Sequence, residues 1–321
     1  TTQDWSVPHF EKMLEDHAGL VEALAATGLG RVLDDATRYL DGVLRDPETG
    51  LYAGSQDADE RYYELDGAGR ANLEPPFVDR RVYASWNCAL ASAYLQADLR
   101  MGRPRLREHA AQVLEVLFKR FYEPATGMAH TDGVRGQLGD QAWALLAATR
   151  AAAAGIGPAW LDTARSLAEH LQAEYADAEL GGYFDTAAKE ELGRLRERLK
   201  PLPENSVAAL ALHELSALSG DPSAPYAARA RAALESVASL PRQYGTMAAV
   251  FARAADRLLR PPLKVTTTDR ALAAEALAAH PYAVIEIGGD SRAVVCAGTL
   301  CLAPVDRPQL LREAIAQATH A

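Results

Sequence analysis

Apolar residues at Phe10, Met13, Leu14, Leu20, Val21 and Leu24, with His17 among them, recur at the i, i+3, i+4, i+7 spacing of a helix with a broad buried face. Val32, Ala36, Leu40 and Val43 make a narrower stripe with charges opposite, which predicts a second, half-exposed helix. The alternation continues along the chain. Residues 82–95 are apolar nearly all round, and an amphipathic run follows through Leu106, Val113, Leu117 and Phe121. Residues 138–154 and 161–175 repeat the pair, and 206–218, 226–237 and 247–258 add buried, half-exposed and buried stretches. A layer of buried helices inside a layer of half-exposed ones is the arrangement this pattern predicts.

Between the helices one punctuation occurs three times: an acidic residue, a short gap, a glycine, then an aromatic residue or Met. It reads DPETGLYAGSQD at 46–57, EPATGMAHTD at 123–132 and DAELGGYFDT at 177–186. An internal repeat built on a helix hairpin predicts an α/α toroid. Five buried and four half-exposed stretches fall short of a closed ring of six hairpins, so an (α/α)6-type toroid that is incomplete is expected over 1–260. The pair Pro261-Pro262 stops the helical pattern, because proline lacks the backbone donor and clashes with the preceding turn. Beyond it, 263–267, 282–287 and 293–302 are β-like and 268–279 and 309–318 helical, which predicts a small α/β module over 261–321. The fold class is mostly α.

A chain of 321 residues with 49% hydrophobic content is long enough for one large core and a smaller satellite. The net charge of -10 argues against nucleic acid or an anionic membrane as partner, since both need clustered Lys and Arg. No apolar run has the length that spans a bilayer. Three cysteines are too few for a disulfide scaffold, so a cytoplasmic location is expected. Cys296 and Cys301 are not a CxxC pair, and in one β-like stretch they face opposite ways, which reads as packing. The segment HFEKMLEDH lacks the i, i+4 histidine pair of a zinc-binding helix. No metal and no cofactor are expected.

In a toroid of hairpins, the loops after outer helices and the first turns of inner helices open onto one end. The polar and aromatic residues in those places are His9, Glu11 and Asp16; Ser55, Gln56, Asp57 and Asp59; Trp86 and Asn87; His130, Thr131 and Asp132; Asp140, Gln141 and Trp143; Asp185; and Asn205 with Ser206. Such a mixture suits a polyhydroxylated ligand, whose hydroxyls need many partners while its C–H faces stack on rings. His9 and Asp16 share a face if a helix begins at or before His9, and a carboxylate beside an imidazole raises its pKa and orients it for acid or base work. A polar network sealing the barrel end is the alternative. Asp57 and Asp59 in an extended loop would lie roughly 6 to 7 Å apart on one side. That spacing is compatible with a glycosidic pair, with a metal, or with a plain Asx turn. Asp79 and Asn205 read first as helix N-caps, and His17 as a satisfied core histidine.

Several segments together carry a resemblance: VPHFEKML at 7–14, SQDAD at 55–59, SWN at 85–87, ELGGYFDT at 179–186, ENSVAAL at 204–210 and VCAGTLCLAPV at 295–305. In order and over essentially the whole chain they resemble the spermatogenesis-associated protein 20 family, thioredoxin-domain proteins with a six-hairpin, glycosidase-like toroid. The resemblance implies a toroid similar to those of N-acylglucosamine 2-epimerases, cellobiose epimerases and glycoside hydrolases. Members usually carry a thioredoxin-like domain and a first helical hairpin ahead of the position matching Trp5, and here the segment between SQDAD and SWN is shorter than usual. The resemblance therefore implies a partner, separate or cleaved, that supplies the missing hairpin and a thioredoxin-like domain; the alternative is a self-contained, shortened toroid whose small α/β module covers the gap. The expected function is a carbohydrate-active protein with a sugar-like ligand, of epimerase, isomerase or glycosidase type. His9, Asp57, Asp59 and Asp140 are the catalytic candidates, His9 and Asp57 foremost as acid and base. Glu11, Asp16, Gln56, Trp86, Asn87, His130, Gln141 and Asn205 are the binding candidates. A non-catalytic or redox-associated scaffold that docks a thioredoxin-like partner is the other reading.

Overall fold

The computed structural model describes residues 4, 9–187, 197–221, 223–260 and 262–320. Val7 and Pro8 of the first motif, Trp5 and Pro261 lie outside the described residues. The segment before the first inner helix is extended, not helical. Lys12–Met13 (β1) pairs antiparallel with Ser55–Gln56 (β2), which pairs with Val78–Asp79 (β3). The first inner helix, Leu14–Thr27 (α1), starts only where Leu14 N donates to Gly54 O at 2.8 Å. His9 and Asp16 therefore do not share a helix face, because sheet pairing claims the backbone between them.

The outer helix Gly30–Tyr39 (α2) runs on through a π-helical turn, Leu40–Leu44. Its buried face is Leu33, Thr37, Leu40 and Leu44, while Val32 is 49% exposed, so the stripe is rotated by one residue from the predicted Val32, Ala36, Leu40 and Val43. After two short helices, Glu60–Glu64 (α3) and Gly67–Arg70 (α4), the alternation is regular. Ala84–Met101 (α5) is inner and Pro104–Phe121 (α6) outer; Leu138–Ala153 (α7) is inner and Trp160–Tyr175 (α8) outer; Leu202–Ser219 (α9) is inner and Tyr226–Glu235 (α10) outer. Pro241–Tyr244 (α11) leads into a last inner helix, Ala249–Leu258 (α12). In α5 every residue from Asn87 to Leu95 is buried, and its small side chains let α1 and α7 pack on either side. In α6 only one face is covered, through Leu106, Ala110, Val113, Leu114, Leu117 and Phe121. That difference separates inner from outer in an α/α toroid. The inner helices follow one another in contact: α1 on α5, α5 on α7, α7 on α9 and α9 on α12.

The threefold punctuation builds one device three times. Asp46 N donates to Leu51 O while Gly50 N donates to Asp46 O, and Asp177 N donates to Gly182 O while Gly181 N donates to Asp177 O. A residue one or two positions after the glycine then bridges antiparallel to the end of the outer helix: Tyr52 to Arg45, Met128 to Tyr122 in the pair Tyr122–Glu123 (β4) and Gly127–Met128 (β5), and Tyr183 to Ala176. A side-chain amide in the first turn of the next inner helix clips that residue's backbone on both sides. Asn87 accepts from Tyr52 N and donates to Tyr52 O, at 2.9 and 3.0 Å. Gln141 does the same to Met128, at 2.8 and 2.7 Å, and Asn205 to Tyr183, at 2.8 and 2.9 Å. Glycine is required at the turn: Gly127 and Gly182 have φ of 72°. A Cβ on Gly127 would meet Gln141 Oε1 at 2.3 Å, and one on Gly182 would meet Ser236 Oγ at 2.0 Å. Asn205 is thus a clip inside the first turn of α9 and not an N-cap, since Pro201 precedes the helix. Asp79 is likewise no cap; it lies in β3, and its carboxylate accepts from Arg81 N and the Tyr83 hydroxyl.

Toward the other end of the inner helices, charged groups from four of them meet. Arg150 of α7 donates to Glu214 of α9 at 3.0 and 2.9 Å and to Glu22 of α1 at 3.2 Å. Arg253 of α12 donates to Glu22 at 2.7 Å, and Arg257 to Glu214. Burial opposes ionisation of Glu214 and Glu22, but the guanidinium groups overcome it and hold both carboxyls below their ordinary values.

A second core gathers around Leu263–Thr267 (β6), Arg270–Ala279 (α13), Val284–Ile287 (β7), Val294–Ala297 (β8), Leu300–Cys301 (β9) and Pro308–His320 (α14), with Leu99 of α5 inserted. The sheet order is β7-β6-β8-β9, with α13 making the parallel crossover from β6 to β7. The predicted strand 293–302 is in fact a hairpin. Gly298, at φ 57°, opens a two-residue turn between Ala297 and Leu300. Cys296 and Cys301 therefore stand directly opposite each other and are joined as a disulfide, where a single strand would have turned them to opposite faces.

Replacing Asn205 by Ala leaves the N–H and C=O of buried Tyr183 unpaired. The expected loss, read as a shift in the urea midpoint, is about 1–3 kcal/mol for each of the two groups.

Candidate functional site

Because the clips tie each loop to the next inner helix, the first turns of α1, α5, α7, α9 and α12 share one end of the toroid with those loops. A cavity of about 540 Å³ opens there. Its described lining includes Glu15, Trp86, His130, Asp140, Trp143, Asp185, Glu204 and Val250. The size lies within the range of small-molecule sites, about 300–1,000 Å³.

His130 and Asp140 form its best-defined polar pair. The loop holds His130 by its backbone: its N–H donates to Val134 O at 2.8 Å and its C=O accepts from Ala84 N at 2.9 Å. Asp140, in the first turn of α7 and only 1% exposed, receives Nδ1 of His130 at 3.1 Å and Ser85 N at 3.2 Å. The Asp140 hydrogen bond raises the His130 pKa above its ordinary value, against a smaller opposing effect of burial. With Nδ1–H directed at Asp140, Nε2 is the imidazole atom left for a ligand. Trp86 and Trp143 present rings to the same space, and Trp86 packs on Tyr83 with centroids 4.5 Å apart.

Two carboxyl groups join them. Burial, followed by the neighbouring charges of Asp16 and Glu204, raises the Glu15 pKa. Burial also raises that of Glu204, with Asp185 adding to it. Glu204 Oε2 is buried without a hydrogen-bond partner among the described residues. Burial shifts such a carboxyl toward its protonated form, in which it can donate a hydrogen bond as well as accept one.

The predicted residues divide into three groups. Trp86, His130 and Asp140 line the cavity, as do Trp143 and Asp185. Asn87, Gln141 and Asn205 stand behind its wall, fully buried, their amides occupied by the backbone clips. The remainder sit on the neighbouring β1–β3 sheet and its flanks, outside the described lining. His9 contacts Glu11 at 3.1 Å, Asp16 is exposed on α1, and Gln56 is buried, accepting from the hydroxyls of Tyr39 and Tyr63. Asp57 is exposed, and Asp59 caps α3 by accepting from Tyr62 N at 2.9 Å, so the second carboxylate of the proposed pair serves an Asx-type cap. His17 is half-buried, bonded to Met13 O at 2.8 Å and stacked on Tyr39.

Glu15 and Glu204 are the carboxyl groups of the described lining that sequence reasoning missed as candidates. Both lie in the first turn of an inner helix, as Asp140 does. That rule would have found them had the start of α1 been placed at Leu14 and the start of α9 at Leu202.

No family model and no curated protein matches the sequence. Solved structures do match in fold. A D-mannose isomerase aligns with a TM-score of 0.53 at 13% identity, over 72% of this chain and 60% of its own length. The GH76 α-mannanase of Bacteroides thetaiotaomicron aligns at 0.58 and 12% identity, over 77% and 69%. The cellobiose 2-epimerase of Bacillus thermoamylovorans aligns at 0.57 and 11%, over 80% and 77%. The chain spans less than two thirds of the isomerase. It shares the α/α toroid fold of these proteins, with five inner and four outer helices of the ring among the described residues.

A folded pKa of His130 above the unfolded value of about 6.5 contributes stability that is fully present below that value and lost as pH rises through the folded pKa. In an NMR titration His130 is expected to titrate above the ordinary range. Asp140→Asn is expected to bring it down and to remove that part of the pH dependence of stability.

Proposed function

We propose that the end cavity binds a sugar and moves a proton next to its carbonyl carbon, as an aldose isomerase or 2-epimerase does. The observation that carries this reading is the His130–Asp140 pair at the rim of a cavity that also holds two indoles and two carboxyls with raised pKa values. In the open-chain sugar the proton on C2 is acidic because the enediolate formed by its loss is stabilised through O1. Nε2 of His130 takes that proton, and Asp140 stabilises the imidazolium that results. The Glu204 carboxyl, its pKa raised by burial, donates a hydrogen bond to O1 from its protonated form as negative charge develops there. Return of the proton to C1, with the O2 proton passing to O1 through the enediol, gives the ketose, and return to the opposite face of C2 gives the epimer. Trp86 and Trp143 stack on the C–H faces of the sugar. In this scheme the acid and base roles expected of His9 and Asp57 pass to Glu204 and His130.

The named activities of the structural neighbours, isomerase, epimerase and mannanase, support a carbohydrate ligand, and the fold alone does not choose among them. The motifs at 55–59, 85–87 and 204–210 support membership of the spermatogenesis-associated protein 20 family as part of the same proposal. A thioredoxin-like partner, a cytoplasmic location and a division near residue 260 belong to it too. Among the described residues no helix is long and apolar enough to cross a membrane.

The test is hydrogen exchange at C2 of D-mannose and of cellobiose in D2O, followed by NMR together with product formation. Wild-type protein is expected to exchange the C2 proton. His130→Gln and Glu204→Gln are expected to slow exchange on the order of 10²–10⁴-fold, the usual worth of a positioned acid or base. His9→Ala and Asp57→Asn should leave the rate unchanged. Hydrolysis of an α-mannoside without C2 exchange would replace this reading with a glycosidase one.

A further inference from the structure

We infer that Cys296–Cys301 is a thiol–disulfide exchange site that accepts electrons from a dithiol. It stands independently of the sugar site. The bond crosses the β8–β9 hairpin at the free edge of the sheet, where Cys301 is exposed and Cys296 half-buried. A second cavity, of about 330 Å³, lies beside it. Its lining includes both cysteines, Gly298 and Thr299 of the turn, Lys264 of β6, and Ser216 and Gly220 at the end of α9. Exposed disulfides are the more readily reduced ones, and this one is open on its Cys301 side to a space large enough to admit a thiol-bearing group.

The register supplies the rest of the chemistry. Lys264 stands opposite Cys296 in the β6–β8 ladder, and Cys296 stands opposite Cys301 in the β8–β9 ladder. Directly opposed residues share a face of the sheet, so the ammonium group of Lys264 and both sulfurs lie on one side. Lys264 also pairs with Glu286 at 3.0 Å, which holds it in place. An incoming thiolate attacks the exposed Cys301 sulfur. A bond forms between the two sulfurs, the Cys296–Cys301 bond breaks, and its electron pair leaves on Cys296, next to Lys264. The second thiol of the reductant then attacks its own sulfur in the mixed disulfide and releases Cys301. One dithiol becomes a disulfide, and its two protons end on Cys296 and Cys301. Cys88, the third cysteine, is buried in α5, and burial pushes its thiol up, so it takes no part.

The experiment uses the full chain in its folded state. The protein is incubated with dithiothreitol or with a Cys-Gly-Gly-Cys peptide at equal thiolate concentration, quenched with an alkylating agent, and mapped by mass spectrometry. Cys296 and Cys301 are expected to be reduced together, well before the chain unfolds, with Cys88 unlabelled. Faster reduction by the peptide identifies a polypeptide dithiol as the donor, and faster reduction by dithiothreitol a small one. Lys264→Gln is expected to slow reduction about threefold, as a one-unit rise in the leaving thiol's pKa does at a Brønsted coefficient of about 0.5. Lys119→Gln, on the distant outer helix α6, should not slow it. Reduction that keeps pace only with urea unfolding, or equal rates for the two lysine variants, would overturn the inference.

Discussion

The toroid depends on a hydrogen-bonding constraint met in the same way three times. A loop that leaves an outer helix and turns back through a glycine buries a residue whose backbone N–H and C=O are cut off from water. Such groups must be paired. Asn87, Gln141 and Asn205 pair them, each by one amide that presents its acceptor and its donor to the two sides of a single residue. The interaction is local, but its consequence is global. It fixes the distance from each loop to the following inner helix, so the first turns of the inner helices and the loops that precede them share one end. His130 on its loop and Asp140 on its helix meet because Gln141, the next residue, clips Met128 two positions before His130.

The two ends of the inner helices are electrostatically different. Toward their carboxy-terminal ends the charges of Glu22, Arg150, Glu214, Arg253 and Arg257 are paired with one another. Removing one partner of such a buried set is strongly destabilising, on the order of 3–5 kcal/mol, because it leaves the other charge uncompensated. That end is a structural clamp joining α1, α7, α9 and α12. At the opposite end the acids are less fully matched: Glu204 Oε2 has no partner among the described residues, and the charge of Glu204 adds to the burial that raises the Glu15 pKa. Ion pairing is concentrated at one end, and carboxyl groups with raised pKa values at the other.

Helix order and the inner-outer alternation were legible because apolar period and the repeat are properties of local sequence. The glycine after an acid, and the aromatic residue or Met after the glycine, marked each loop correctly. What was not legible was the function of the amides: an Asn or Gln in the first turn of an inner helix looks alike whether it binds a ligand or the backbone of the preceding loop. The start of α1 was hidden for a related reason. Phe10 and Met13 fit the helical period, yet the backbone at Lys12–Met13 pairs with the distant Ser55–Gln56, and long-range pairing overrode the local pattern. Asp59 likewise satisfied a nearby N–H instead of a ligand. Cys296 and Cys301 were read as one strand, and a single glycine turn was enough to bring them face to face.

The central claim is that the cavity at the clipped end, and not the sheet bearing His9 and Asp57, receives the sugar. The most direct measurement is the set of indole N–H signals in 1H–15N NMR spectra during titration with D-mannose and cellobiose. Trp86 and Trp143 line the cavity, whereas Trp160 lies on α8 with its ring edge-on to Phe118 at 4.9 Å. The account predicts saturable shifts of the Trp86 and Trp143 signals with that of Trp160 unmoved. Trp86 and Trp143 signals that stay fixed while either sugar binds elsewhere would contradict it.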